Sequence, residues 1–84
     1  MVAIKVVSTD RDIRIYLDDL LHVAFSRTEI DAIHSYIDDR PAEPWPEFKN
    51  RYVIKFITTR SYFETEYEDR QVWEGILKEL DRQL

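Results

Sequence analysis

Residues 28–38 read T-E-I-D-A-I-H-S-Y-I-D, and whether this segment coils or extends decides the fold. Thr28 suits a helix N-cap, and Ile30, Ile33 and Ile37 recur at helical spacing opposite Asp31, Ser35 and Asp38. That pattern favours a short central helix. The extended alternative puts Ile30 and Ile33 on opposite faces of a strand, so it requires either a bulge or burial on both sides. Under the first reading the domain is a small sheet with an inserted helix. Under the second it gains a further strand.

Downstream, residues 40–50 read R-P-A-E-P-W-P-E-F-K-N, with Pro41, Pro44 and Pro46 inside six positions. Proline donates no backbone hydrogen bond and continues neither a helix nor a central strand, so this is read as an extended loop. Beyond it, Tyr52, Ile54, Phe56 and Thr58 form one face of a strand, and Phe63, Thr65 and Tyr67 form a matching face after Arg60-Ser61. A hairpin results. The expected register pairs Thr58 with Phe63, Phe56 with Thr65 and Ile54 with Tyr67, and sets Lys55 against Glu66 as a cross-strand ion pair. Arg60-Ser61 lacks the glycine or asparagine of tight two-residue turns, which makes a four-residue loop an equal fit.

The chain ends in an amphipathic helix from about Asp69, a good N-cap, through Arg82. Trp73, Ile76, Leu77, Leu80 and Leu84 form one stripe, and Gly75, the only glycine, falls on the opposite side. There it costs roughly 0.5–1 kcal/mol relative to alanine, and is read either as a close approach or, by preference, as drift.

Upstream of the deciding segment, Val2, Ile4 and Val6 alternate in a first strand ended by Ser8-Thr9-Asp10. Ile13, Ile15 and Leu17, then Leu21, Val23 and Phe25, form another hairpin in preference to a helix carrying Ile13, Leu17, Leu20 and Ala24. All six apolar positions are odd-numbered. They share a face only if the connection is odd, such as Asp18-Asp19-Leu20, which pairs Leu17 with Leu21 and Ile15 with Val23. The expected fold is therefore α+β: an antiparallel sheet of about five strands in two hairpins, covered by a C-terminal helix, with a short central helix or, alternatively, a strand at 28–38.

The strand Y-V-I-K-F-I-T-T (52–59), the strand Y-F-E-T-E-Y (62–67) and the closing helix with Trp73, Ile76-Leu77 and Leu80 resemble the end of a pleckstrin-homology-like module, over residues 51–84. The resemblance implies a helix whose inward tryptophan caps a small antiparallel barrel. It also implies binding of proteins or lipid headgroups rather than catalysis. The early Lys and Arg cluster that headgroup-binding members use is absent from this sequence.

Composition narrows the function classes. Eighty-four residues suit one domain, 1–84, and 44% hydrophobic with 13% aromatic content is that of a folded chain. There is no cysteine, hence no disulfide framework and no thiolate chemistry. V-A-I-K-V-V at 2–7 is too short for a signal or a membrane span, so the cytoplasm is the default compartment. A net charge of -5 opposes non-specific attraction to nucleic acid or anionic lipid.

No catalytic constellation emerges. One glycine cannot build a phosphate loop, and Ser26, Ser35 and Ser61 lack a glycine-framed elbow. His34 with Asp38, joined by Asp39, is the strongest metal or enzymatic alternative, and Asp18, Asp19 and His22 form a second group. Neither reaches three convergent ligands, and no metal or cofactor is expected. Glu64, Glu66 and Glu68 line one strand face, read mainly as a solvated face and otherwise as a surface for a basic partner. Trp45 and Phe48 in the proline loop either fold back over the core or form a binding hot spot. The expected function is a non-enzymatic protein-interaction or small regulatory module with a protein partner or a second copy, contacting it through Trp45, Phe48, Lys55, Glu64 and Glu66.

Overall fold

The structure is a computed structural model that describes residues 2–39 and 51–84. Among them the chain forms β1 (Ile4–Ser8), β2 (Asp12–Leu17), β3 (Leu20–Ser26), β4 (Ile30–Asp38), β5 (Arg51–Thr58), β6 (Tyr62–Tyr67) and α1 (Arg70–Gln83). The α+β class with antiparallel strands and a C-terminal helix is as the sequence implies. Instead of about five strands in one sheet, two antiparallel three-stranded sheets are present, β1-β2-β3 and β4-β5-β6.

The deciding segment is a strand, so the central helix is corrected. The physical reason is a bulge. Ile30 pairs with Thr58 and Ala32 with Ile57, leaving Asp31 as the extra residue. That one insertion restores Ile30 to the side shared by Ile33 and Phe56, and both isoleucines pack on the core. The helical spacing of the isoleucines is therefore the signature of a strand with one residue added.

A second bulge resolves the parity of the first hairpin. Ile15 pairs with Val23 as expected, but Tyr16 pairs with Leu21 and Leu17 with Leu20, so His22 is the extra residue. The connection is the two-residue turn Asp18-Asp19, not the three-residue loop, and both residues take positive φ, 49° and 66°. Aspartate tolerates this region better than most side chains, and the left-handed pair matches the twist of the flanking strands. Asp18 is also tied to the start of β1, its Oδ1 accepting from the Ala3 amide at 2.8 Å and its own amide donating to the Ala3 carbonyl at 2.9 Å. Leu21 consequently leaves the core face it was assigned and is exposed.

The second hairpin keeps its expected faces but slips by two residues. Phe56 pairs with Phe63, Ile54 with Thr65 and Tyr52 with Tyr67, and the turn centres on Thr59-Arg60, closed by the Thr58 amide and hydroxyl donating to the Ser61 carbonyl. A shift of two preserves which side each residue faces while changing every partner.

The inner faces of the sheets meet through Phe25 and Phe56, whose ring centroids lie 5.2 Å apart, and α1 covers them with Val72, Trp73, Ile76 and Leu80. Asp69 caps the helix, its carboxylate accepting from the Gln71 amide at 2.8 Å. The Trp73 indole donates to the Val53 carbonyl at 3.1 Å, a buried tie between helix and strand. Gly75 is a close approach rather than drift: a β-carbon there would stand 2.5 Å from Ile4 Cδ1, because α1 packs chiefly on β1. Leu84, placed on the apolar stripe, is exposed at the helix end.

Candidate functional site

The face of β4-β5-β6 turned away from the core is organised in rows. Tyr36, Val53 and Glu66 make one row, His34, Lys55 and Glu64 the next, and Ala32, Ile57 and Tyr62 the third. Strand alternation alone puts them there, since their neighbours Ser35, Ile54 and Thr65 and the row Ile33, Phe56 and Phe63 point the other way. Lys55, Glu64 and Glu66 are thus brought together on one surface, as the sequence implied.

Their contacts differ from the expected ion pair. Lys55 stands opposite Glu64, not Glu66, and its ammonium lies 4.1 Å over the centre of the Tyr62 ring. The cation is held by the electron-rich face of the ring while its stem covers the sheet. Tyr36 donates its hydroxyl to Glu64 from two strands away, so its ring must cross β5 between Val53 and Lys55. Val53 lies on this outer face yet is only 1% exposed. Glu66 makes no ion pair among the described residues and presents its charge to solvent. Tyr62 is 55% exposed, so the ring that holds Lys55 offers its other side outward.

At the far end of the same face, Asp38 is buried and bound to Arg51 Nη2 at 2.8 Å. This removes it from any site with His34, which stands four strand positions away, about 13 Å along an extended chain. The helical proximity expected for His34 and Asp38 is therefore corrected along with the helix, and Asp39 lies beyond the strand end. The second group also separates. Asp18 serves the turn, and His22 Nε2 lies 2.7 Å from the Tyr67 hydroxyl, joining the two sheets. Burial lowers the His22 pKa from its ordinary 6.5 and raises that of Tyr67. Among the described residues no three His, Asp or Glu side chains converge, and no helix is long and apolar enough to cross a membrane. Trp45 and Phe48 lie outside the described residues.

Tyr36 and Tyr62 are the contributors that sequence reading passed over. The signal was available: Tyr62 alternates in phase with Glu64 and Glu66 along its own strand, and Tyr36 joins that face once residues 28–38 are extended. Searches against known protein families, characterised proteins and solved structures find no match.

Proposed function

We propose that this chain is a non-enzymatic protein-interaction module whose contact surface is the outer face of β4-β5-β6. The carrying observation is the arrangement of Tyr62, Lys55, Tyr36 and Glu64, in which two partly exposed tyrosines are already fixed by a cation–π contact and a hydrogen bond. Tyrosine supplies a large contact area with a polar tip, and side chains held before binding lose little further entropy on association. Glu64 and Glu66 add negative charge beside them, which suits a partner presenting Lys or Arg at the rim of the contact. The resemblance of residues 51–84 to the end of a pleckstrin-homology-like module supports the same class of function.

The test is native mass spectrometry of the chain purified gently from its own host, beside Tyr62→Ala and a Glu64→Lys/Glu66→Lys double variant. The expected result is a partner or second-copy mass on the wild type that both variants lose, with affinity reduced about tenfold or more. Retention of the same mass by both variants would remove the outer face from the interaction. A bound metal accompanied by turnover would overturn the non-enzymatic reading instead.

A further inference from the structure

The chain passes from one sheet to the other between Ser26 and Ile30, and the end of α1 lies beside that corner. The result is an open groove of about 470 Å³ where the end of the helix meets the β3–β4 corner. Its apolar lining comes from three directions: Phe25 from β3, Ile30 and Ile33 from β4, and Leu77, Leu80 and the C-cap Leu84 from the end of α1. A volume of this order falls in the range that bound organic groups occupy, and it is lined mainly by apolar side chains as such sites are.

The charges at the groove select what enters it. Arg27 also lines the groove and is tethered, its Nε donating to the Thr9 carbonyl at 2.7 Å and its other end to the Ser8 hydroxyl, neutral acceptors that fix the guanidinium without cancelling its charge. Asp31 and Asp81 also line the groove, and neither carboxylate has a hydrogen bond or ion pair among the described residues. Asp31 is the bulged residue of β4, and a bulge re-aims its side chain relative to the regular strand. Nearby Arg82 is paired with Glu79 at 3.0 Å. With two unpaired carboxylates against one tethered guanidinium the cleft is net negative, which disfavours fatty acids and other amphiphiles with anionic heads. It complements an apolar anchor flanked by positive charge.

We propose that this groove is a second contact site, which takes a basic amphipathic peptide segment of a partner protein. One or two Leu, Ile or Phe side chains fill the cleft, and Lys or Arg beside them meets Asp31 and Asp81. The site rests on the reading of the chain as an interaction module, but it meets the Tyr36–Tyr62 face only at Ala32 and draws its other walls from elsewhere, so the two can fail separately.

The experiment screens a library of blocked peptides with fixed leucines at i and i+4 and variable flanking residues, with binding read by amide chemical shifts on the full chain. Selected binders are expected to be rich in Lys and Arg, to shift Ile30–Ile33 and Leu77–Leu84, and to weaken as salt is added. Asp31→Lys/Asp81→Lys should lower their affinity about tenfold or more and favour glutamate-bearing versions, since like charges now face each other. Leu84→Ala, at an exposed position, should weaken binding roughly fivefold to tenfold without lowering the melting temperature. Absence of any binder, binders indifferent to the aspartate reversal, or tighter binding of decanoate than of any peptide would each overturn the proposal. Shifts confined to Tyr36, Lys55 and Tyr62 would overturn it too, while leaving the outer-face reading intact.

Discussion

Adjacent residues of β5 lead different lives. Ile54 and Phe56 point inward and are fully buried, whereas Lys55 between them lies on the outer face with its ammonium on an exposed tyrosine. The inner side is held by packing, through Phe25 on one side of Phe56 and Phe63 stacked at 4.8 Å on the other. The outer side is held by directional polar contacts at the surface. One strand thus carries a packed face and a face of surface polar contacts at a spacing of a single residue, and substitutions on the two should have effects of different size and kind.

The largest expected effect is on the inner face. Phe56→Ala should destabilise the fold by about 3–5 kcal/mol, read as a fall in the denaturation midpoint, because it leaves a cavity where two rings met. Lys55→Ala should cost no more than about 1 kcal/mol, the size of an exposed cation–π contact. Similar losses for the two would break the comparison. Next in size is the tie between helix and strand. Trp73→Phe keeps a ring against Tyr52 but removes the buried hydrogen bond to the Val53 carbonyl and part of the packed ring system, so a loss of about 1–3 kcal/mol is expected in the same assay.

The two faces were not equally legible from the residues. Period-two alternation placed Ile13, Ile15, Ile54 and Phe56 inside without reference to partners, since a face depends only on parity. Pairing depends on the turn, and Thr58-Thr59-Arg60-Ser61 carries no glycine or asparagine to mark its centre. Lys55 was therefore matched to Glu66 and not Glu64. The bulges at His22 and Asp31 were harder still. An added residue breaks the alternation, and in residues 28–38 the broken pattern reproduces helical spacing. Tyr36 on the outer face remained hidden behind that helix reading. The contact of Gly75 with Ile4 was beyond reach from one sequence, because it depends on how α1 lies across β1.

A smaller effect should appear with pH at the inter-sheet contact of His22 and Tyr67. Burial lowers the histidine's folded-state pKa below 6.5, so the native chain favours the neutral ring. Its contribution is full above the unfolded value and is lost as pH falls through the folded one. Melting temperature should therefore drop between about pH 7.5 and pH 5, and by less in His22→Gln, which keeps a polar side chain there without a titrating ring. The lowered pKa of Asp12, bound by Thr9 and Arg14, acts only at more acidic pH and leaves this window to the histidine. Equal slopes for wild type and variant would remove His22 as the cause.

The smallest net change is expected at Gly75, where two effects oppose each other. Alanine gains about 1 kcal/mol of helix propensity over glycine. Its β-carbon, however, would stand 2.5 Å from Ile4 Cδ1, so the isoleucine must turn from its rotamer at about 0.5–1.5 kcal/mol. Gly75→Ala alone should then shift stability by less than about 1 kcal/mol in either direction. Ile4→Val deletes the obstructing methyl, and in that background the same glycine replacement should stabilise by about the full propensity gain. The coupling, read from chemical denaturation of the four proteins in the cycle, isolates the contact from propensity. Additive changes would mean that Ile4 yields freely and that the close approach does not set the helix position. A gain confined to the valine background would make Gly75 the residue that lets α1 lie close on β1.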